Sequence, residues 1–331
     1  MPDPHAPPRW LALVPGESIS DSQQSGGNDL TGLTEVVALP RGARFHRADL
    51  HIHSFAGSHD VRDCTMTPEN IANIALAQRL GVIAVTDHNE INNVEAAMKA
   101  AEPTGLLVIP GVELSTPQGH LLAYLPSLEA LQRLHGRLDV VDRGKPESRC
   151  RNTILDCLNI IRSLAGFGIL AHVDAPSSFE IETPGGSPHK LDIICHPALL
   201  GIEVKSAASD ISYGAGDPDS VRAQAGALRI QSLGLGSKQF LARVLFSDSH
   251  ALNALGRNTA GDKKVTRLKM DTPSFDALRI ALEDSDARVR IEDLIPPSIP
   301  YILGPNRGAR RTIGLAADRS RKQSRSRCAP R

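Results

Sequence analysis

The chain has 331 residues, enough to bury a sizeable core as one large domain or two smaller ones. Basic and acidic residues both number 37, so no net charge steers the whole chain towards nucleic acid or an anionic membrane. No apolar run approaches the roughly 18 residues of a membrane span. The N-terminus lacks a secretory leader and the five cysteines form no CxxC pair, so we expect a cytoplasmic protein without a membrane partner.

The two ends of the chain differ in composition from the region between them. Residues 1–44 are rich in Pro, Gly, Ser, Asp and Gln, which predicts an irregular N-terminal arm. Residues 307–331 carry many arginines among Ser, Ala and Gly without helical or strand periodicity, which predicts a disordered basic tail. This tail is either a solvated segment or an arm that contacts nucleic acid, although no aromatic residues are interleaved for base stacking.

Between these ends, residues 45–306 alternate short apolar strands with helix-length segments. After the strand "LHIH", the segment "TPENIANIALAQRLG" predicts a helix with Thr67 as N-cap, Pro68 at its first position and Gly81 as its stop. The later segments are the strands "VIAVTDH", "LLVIPGVEL" and "HLLAYL", the helix "TILDCLNIIRSLAGFG", the strands "ILAHVD" and "GIEV", the helix "DSVRAQAGALRIQSLG", the strand "RVLFSDSH" and the helix "TPSFDALRIALEDS". The continuous apolar runs favour an α/β fold with a largely parallel, barrel-like sheet buried on both faces.

Histidines and carboxylates collect at the ends of these predicted strands. His51 and His53 close the first strand, while Asp248 and His250 close the last one. The others are His88, Glu113 and His172 at strand ends, and His120, which instead opens its strand. Because the carboxyl ends of parallel strands form the ligand-binding face of α/β sheets and barrels, we expect these side chains to converge.

The H-x-H and D-x-H spacings have a physical reason. Residues two apart on a strand project from the same face about 6 to 7 Å apart, which lets both side chains bind one ion. Either pair alone is equally compatible with polar residues at a strand exit. Two pairs together with the other strand-end histidines favour a metal centre. So many imidazoles with few carboxylates suit zinc, manganese or iron better than magnesium or calcium.

The motifs resemble those of the PHP family, the polymerase and histidinol phosphatase superfamily of metal-dependent phosphoesterases. The resemblance rests on "ADLHIHS", "VTDHNEI", "IPGVELS" with "GHLLAYL", "ILAHVD" and "LFSDSH", which occur in family order over residues 46 to about 295. It implies a distorted (β/α)7 barrel of the PHP type. It also implies two or three divalent metal ions at the C-terminal face of that barrel.

The resemblance further implies a ligand set drawn from the same motifs. The groups are His51, His53, Glu113 and Asp248 for one ion; Glu113, His120 and His172 for a second; and His59, His88 and His250 for a third. His59 stands eight residues after His51, where the family often has His or Asp, and Asp60 stands beside it.

Four further residues near these motifs have an interpretation. Arg257 and Lys205 are predicted phosphate contacts, because Arg257 closely follows the last motif and Lys205 follows the strand "GIEV"; either could instead be an ordinary surface cation. Asp49 and Asp87, beside the predicted ligands, are interpreted as carboxylates that orient an imidazole. The long, loop-rich segment 175–201 is interpreted as a lid or specificity element.

We therefore predict a hydrolase that cleaves a phosphomonoester or phosphodiester by attack of a metal-bound hydroxide. Its substrate would be a phosphorylated small molecule or a nucleotide. The alternatives are a nuclease that acts on DNA ends, with nucleic acid as partner, and a non-catalytic, PHP-like regulatory domain that binds metal. An amidohydrolase-like enzyme that cleaves a C–N bond shares the H-x-H opening, but the later motifs follow the phosphoesterase order.

Overall fold

The computed structural model describes residues 42–176, 178–258 and 260–292. The predicted arm lies outside the described residues apart from residues 42–44, and the predicted tail lies wholly outside them. The same holds for residues 293–306 at the end of the predicted domain. In the described part of the chain, no helix combines the length and the apolar character that crossing a membrane requires.

The strands and helices alternate over most of the described chain. The strands are β1 (Arg44–Ile52), β2 (Val82–Val85), β3 (Leu107–Val108), β4 (Gly111–Thr116), β5 (Gly119–Tyr124), β6 (Val140–Val141), β7 (Arg149–Cys150), β8 (Phe167–Leu170), β9 (Leu199–Glu203), β10 (Ala242–Val244), β11 (Thr266–Met270) and β12 (Val289–Ile291). The α-helices are α1 (Pro68–Ala77), α2 (Val94–Ala101), α3 (Leu128–Arg137), α4 (Ile154–Ser163), α5 (Phe179–Glu182), α6 (Pro188–Ile194), α7 (Ser220–Leu233), α8 (Phe275–Glu283) and α9 (Ser285–Arg288). Two short 3₁₀ helices span Glu102–Thr104 and Leu252–Ala254.

The first predicted helix corresponds to α1. Its N-cap Thr67 accepts a hydrogen bond from the backbone N–H of Asn70, and Pro68 occupies the first turn, as predicted. The helix ends at Ala77, before the predicted stop at Gly81. Arg79 adopts a left-handed backbone with φ of 56°, which ends the helix without a glycine.

Two five-stranded sheets carry the fold. Their strand orders are β12-β11-β1-β2-β3 and β10-β9-β8-β5-β4, and β6 pairs with β7 separately. The predicted α/β class is confirmed. The expectation of a largely parallel sheet is wrong, because β1 pairs antiparallel with β11, and β5 pairs antiparallel with both β4 and β8. Residues 117 and 118 alone separate β4 from β5, and so short a connection requires a hairpin.

One hydrophobic cluster is shared by the two sheets. Leu50 and Val82 from the first sheet pack in the same cluster as Leu122, Ile169 and Val244 from the second. Strands β2, β8 and β9 are buried at every position, which confirms the prediction of burial on both faces. Among the described residues no continuous ladder joins the sheets, so the closed (β/α)7 barrel stays a prediction.

Isolated bridges join the sheets at the edge where the predicted ligands lie. Ile52 bridges to Ser249, and His88 bridges to Glu113. The backbone N–H of His53 donates to the Ser249 carbonyl at 3.0 Å. Because β5 runs antiparallel to β4, its first residues reach this same edge, which explains why His120 opens its strand.

Candidate metal centre

The predicted ligands other than His59 converge from six separate segments of the chain. Three overlapping groups place one ligand atom per residue within 4.8 Å of one another: His53, His88 and His250; His51, His53 and Glu113; and His88, Glu113 and His120. His172 joins through Nε2, which lies 3.2 Å from Glu113 Oε1. Asp248 joins through Oδ1, which lies 3.1 Å from His53 Nε2.

One oxygen of Glu113 lies at the middle of the cluster. Its Oε2 is 3.1 Å from His51 Nε2, 3.3 Å from His53 Nε2 and 3.2 Å from His88 Nδ1. This atom is buried and has no hydrogen-bond partner among the described residues. Ring nitrogens and a carboxylate oxygen that face one another around an unsatisfied atom form the arrangement that a cation completes. The residues present therefore fit a divalent metal ion.

The other oxygen of Glu113 faces a second pair of imidazoles. Oε1 is 2.8 Å from His120 Nδ1 and 3.2 Å from His172 Nε2. One carboxylate thus contacts both predicted groups, which is the position that a bridging ligand requires. His172 also holds a left-handed φ of 31°, and Asp248 holds one of 50°. Strained backbone of this kind at non-glycine residues is concentrated at functional sites.

Two polar residues that sequence reasoning missed orient the first histidines. The Nδ1–H of His51 faces Glu203 Oε2 at 2.9 Å, and His53 Nδ1 lies 2.8 Å from Ser58 Oγ. Both rings thereby turn their Nε2 atoms towards Glu113. Glu203 was identifiable in principle, because it is a carboxylate at the carboxyl end of the strand "GIEV", whereas Ser58 lies in a loop and carries no such signal.

Asp49 and Asp87 do not orient an imidazole, so that interpretation is wrong. Asp49 accepts hydrogen bonds from the backbone and hydroxyl of Ser247 and from the backbone of Gly256. Asp87 accepts from the backbone N–H of Ser54 at 2.6 Å and from its hydroxyl at 2.5 Å. Both carboxylates instead fix the loops that carry the ligands. Burial raises the pKa of each to about 6.

The contacts observed around His88 and His250 differ from the third predicted group in one residue. Asp60 Oδ2 lies 2.9 Å from His250 Nε2 and 3.4 Å from His88 Nε2. His59 instead stands beside the group, with its ring centre 5.5 Å from that of His88. Asp60 Oδ1 is buried and has no hydrogen-bond partner in the described chain. The geometry thus brings Asp60, rather than His59, into contact with His88 and His250.

The two predicted phosphate contacts lie in different places. Lys205 Nζ is 3.0 Å from Asp248 Oδ2, and its side chain is 53% exposed. Arg257 donates through Nη2 to the Gln78 side chain at 2.6 Å. Gln78 precedes β2, at the amino end of that strand, so this contact directs Arg257 away from the edge that carries the histidines.

Burial and neighbouring charges shift the pKa values of the clustered histidines and of Glu113 in opposite directions. Burial lowers the pKa of His53 to about 4. Burial also lowers the pKa of His88, but Glu113 and Asp60 outweigh it and raise the value to about 9. Burial raises the pKa of Glu113, but His51, His88 and His120 hold it well below its usual range. Since a ligating imidazole must be neutral, metal binding would displace protons from this cluster.

Sequence comparison places the chain among known proteins. Residues 49–177 match the sequence model of the PHP domain. Over 70 residues the chain is 39% identical to the 5'-3' exoribonuclease Rnm of Salmonella typhimurium, covering 20% of this chain and 22% of the relative. Over 68 residues it is 38% identical to the 5'-3' exoribonuclease of Haemophilus influenzae, covering 20% of this chain and 23% of the relative. The matched part thus spans less than a quarter of either relative.

Solved structures share the fold at low sequence identity. The lesion-specific endonuclease PfuEndoQ from Pyrococcus furiosus superposes with a TM-score of 0.53 at 17% identity, covering 73% of this chain and 56% of that one. A two-domain protein from Bacteroides vulgatus that contains a predicted PHP-like metal-dependent phosphoesterase superposes with a TM-score of 0.51 at 18% identity, covering 75% and 65%. The likeness establishes the common fold. The match of residues 49–177 to the PHP domain confirms the resemblance seen in the motifs.

Proposed function

We propose that this chain is a metal-dependent phosphoesterase that hydrolyses a phosphomonoester or a phosphodiester. The observation that carries the proposal is the set of imidazole nitrogens around Glu113 Oε2, a buried oxygen without a hydrogen-bond partner in the described residues. The nitrogen-rich donor set supports zinc, manganese or iron. Two or three such ions would supply a water of lowered pKa and a clamp for the phosphoryl group.

The ligands that we propose follow the three groups of contacts. They are His51, His53, Glu113 and Asp248 for the first ion; Glu113, His120 and His172 for the second; and His88 and His250 with Asp60, in place of His59, for the third. Glu203 and Ser58 would fix the rings of the first two histidines, as outer partners do in many metal sites.

Lys205 is the phosphate contact that the geometry supports. Together with Lys264 and Asn258 it lines a cavity of about 210 Å³ beside Asp248. Burial lowers the pKa of Lys205, but Asp248, Glu203 and Glu113 raise it above its ordinary value, so the ammonium group stays charged at neutral pH. A substrate phosphate at the metal centre would meet this charge. The contact of Arg257 with Gln78 does not support the same role.

We also propose that the two sheets make up a distorted seven-stranded barrel. The order β1, β2, β4, β5, β8, β9 and β10 becomes circular when the bridges Ile52 to Ser249 and His88 to Glu113 are added to the ladders. Both bridges lie at the site edge. This arrangement supports a barrel that is closed by two isolated bridges at the edge where the ligands converge.

The test is metal analysis of the purified protein, followed by assays with manganese or zinc. The panel contains a phosphomonoester, a phosphodiester and single-stranded nucleic acid, and the variants are His51→Ala and the control His46→Ala. His46 lies on β1 as well, but it contacts the Met270 carbonyl on the antiparallel neighbour. We expect metal and turnover in the wild type and the control, and loss of both in His51→Ala. Equal turnover in His51→Ala would refute the proposal.

A nuclease is the second candidate function. The similarity to 5'-3' exoribonucleases and the shared fold with a lesion-specific endonuclease favour it. Preferential cleavage of an oligonucleotide, with affinity that falls as salt rises, would support this candidate. Deletion of residues 307–331 tests whether the predicted basic tail contributes. Bound metal without turnover on any substrate would instead support the non-catalytic, regulatory alternative. The cytoplasmic location stays a prediction.

A further inference from the structure

A second cavity adjoins the metal centre on the side of His53 and His88. Its volume is about 440 Å³, which falls within the range of small-molecule sites. Its walls include Phe55, Ser58, His59, Glu90, Asn92 and Arg143. His59 relates the cavity to the metal centre, because it lines the cavity and its ring centre lies 5.5 Å from that of His88. Ser58, another wall residue, contacts His53 Nδ1 at 2.8 Å and accepts from the His88 backbone N–H at 3.0 Å. The cavity therefore lies beside the metal centre.

Phe55 presents an aromatic ring to this cavity. It is 41% exposed, in a chain with only 3% aromatic residues. Its backbone is fixed on both sides: its N–H donates to the Met66 carbonyl at 2.9 Å, and its carbonyl accepts from Asn93 Nδ2 at 2.9 Å. The ring thus stands on an anchored loop two residues after His53. Rigid exposed aromatics in such positions stack flat π systems, including nucleobases.

Another wall of the cavity is polar. The side chain of Glu90 is only 9% exposed, and Asn92 Nδ2 donates to its Oε2 at 3.4 Å. A carboxylate and an amide offer an acceptor and a donor to the edge of a base. Arg143 is held in place by the carbonyls of Asn89 and His135, each at 3.2 Å. The cavity therefore combines a stacking surface with groups that can read a base edge.

We propose that this cavity binds the nucleobase of the substrate while its phosphate lies at the metal centre, with Phe55 as the stacking residue. The inference rests on the proposed phosphoesterase function and narrows its substrate to phosphoesters that carry a base, as opposed to simple sugar phosphates. The base belongs either to a free nucleotide or to the end of a single strand. Both sources present the same π face to Phe55.

The test is an equilibrium titration of the full-length, manganese-loaded protein with a fluorescent base analogue. The probe is the hydrolysis-resistant 5'-phosphonate of 2-aminopurine riboside, whose fluorescence falls when the base stacks. We expect quenching in the wild type and in Phe55→Trp, and a Kd about tenfold higher in Phe55→Ala, or about 1.4 kcal/mol. The control is Phe45→Ala: Phe45 is 40% exposed but lies near the start of β1, far from the histidines, so the wild-type Kd is expected.

An unchanged Kd in Phe55→Ala, an equal loss in Phe45→Ala, or no quenching in the wild type would overturn the inference. A second arm uses 2-aminopurine at the 5' end of a short single strand, and tighter binding of that probe assigns the site to strand ends. Measurements of turnover distinguish failure of the base site from failure of the proposed phosphoesterase activity. For Phe55→Ala we expect the KM for adenosine 5'-monophosphate to rise by more than the KM for ribose 5-phosphate. If these two substrates and the whole phosphoester panel resist hydrolysis while the probe still binds, the phosphoesterase proposal fails and the base site stands.

Discussion

Two buried clusters of charged residues differ in how their charges are paired. At the metal centre, imidazoles surround a carboxylate oxygen that has no hydrogen-bond partner among the described residues. In a second cluster, which we call the charge-paired cluster, Lys190 donates to Glu180 at 3.1 Å, Arg222 donates to Asp217 at 3.0 Å, and Tyr213 donates to Glu180. The comparison teaches that buried charge alone does not indicate a ligand site; unmatched donors and acceptors do.

The charge-paired cluster also explains the segment that the sequence predicts as a lid or specificity element. Glu180 on α5 and Lys190 on α6 both belong to this segment and pair with each other. Glu180 also contacts Arg222 and Tyr213, which lie in the chain that follows β9. The Lys190 ammonium also lies 5.3 Å from the ring centre of Phe179, which is fully buried. These contacts hold the described part of the segment to the core, so it is a packed element of the fold.

The largest expected effect comes from exchanging the central carboxylate of each cluster. Glu113→Gln removes the charge that faces five imidazoles, so we expect loss of bound metal and a fall in turnover of more than about 100-fold, since even outer partners of metal ligands contribute about 10- to 100-fold. Glu180→Gln is the matched control, and it should keep its metal while losing stability. Elemental analysis and kcat/KM measure both effects. Full metal content in Glu113→Gln would contradict the conclusion that the unmatched carboxylate marks the metal site.

A second prediction concerns stability within the charge-paired cluster. The Lys190 side chain is 4% exposed, so Lys190→Met leaves Glu180 buried beside fewer positive charges. We expect the free energy of unfolding to fall by about 3 kcal/mol, because breaking a buried ion pair strands its partner. Urea denaturation measures this change, and metal content should not change.

The control for this prediction is Lys238→Met. Lys238 is 78% exposed and pairs with Asp286 at 3.4 Å, so its removal should change the free energy of unfolding by less than about 1 kcal/mol. Equal losses in both lysine variants would mean that burial of the pair contributes nothing to stability.

The ligands at strand ends could be predicted from sequence, because strands are recognisable from their pattern of apolar residues. The pairs His51 with His53 and Asp248 with His250 end buried strands, and strand ends of an α/β fold meet at one edge. The resemblance placed His59 in the third group, and spacing could not separate it from Asp60, because these neighbours lie in a loop whose turn decides which side chain faces His250. Spacing carries no information about that turn.

For the fold as well, the strands could be predicted from sequence, whereas their directions could not. Apolar runs identify strands such as β2 and β8, because burial on both faces excludes polar residues. Their directions depend on the connections between them. The short turn after β4 makes β5 antiparallel, and only this hairpin brings His120 to face Glu113.

A third, smaller effect is expected at the carboxylate that orients His51. Glu203→Gln keeps an acceptor near His51 Nδ1 but removes its charge, so the imidazole becomes a weaker ligand. We expect metal affinity to fall by about tenfold, measured by competition with a chelator, while stoichiometry at saturating metal is retained. Unchanged affinity would show that Glu203 only packs against the ring.

The smallest expected effect is the acid dependence of the charge-paired cluster. Burial raises the pKa of Asp217, but Arg222 and backbone N–H groups outweigh it and hold the value below the ordinary 3.8. A carboxyl with a depressed folded-state pKa stabilises the fold above its unfolded value, and this contribution is lost as pH falls through the folded value. Urea denaturation with chelator, in steps from pH 6 downwards, should therefore show that Asp217→Asn is less stable than the wild type at pH 6 and that the gap narrows below pH 4. If the difference in free energy of unfolding between the wild type and Asp217→Asn stayed constant with pH, Asp217 would act through hydrogen bonds alone. The charge of Asp217 would then contribute nothing to stability, and the comparison between the two clusters would rest on geometry only.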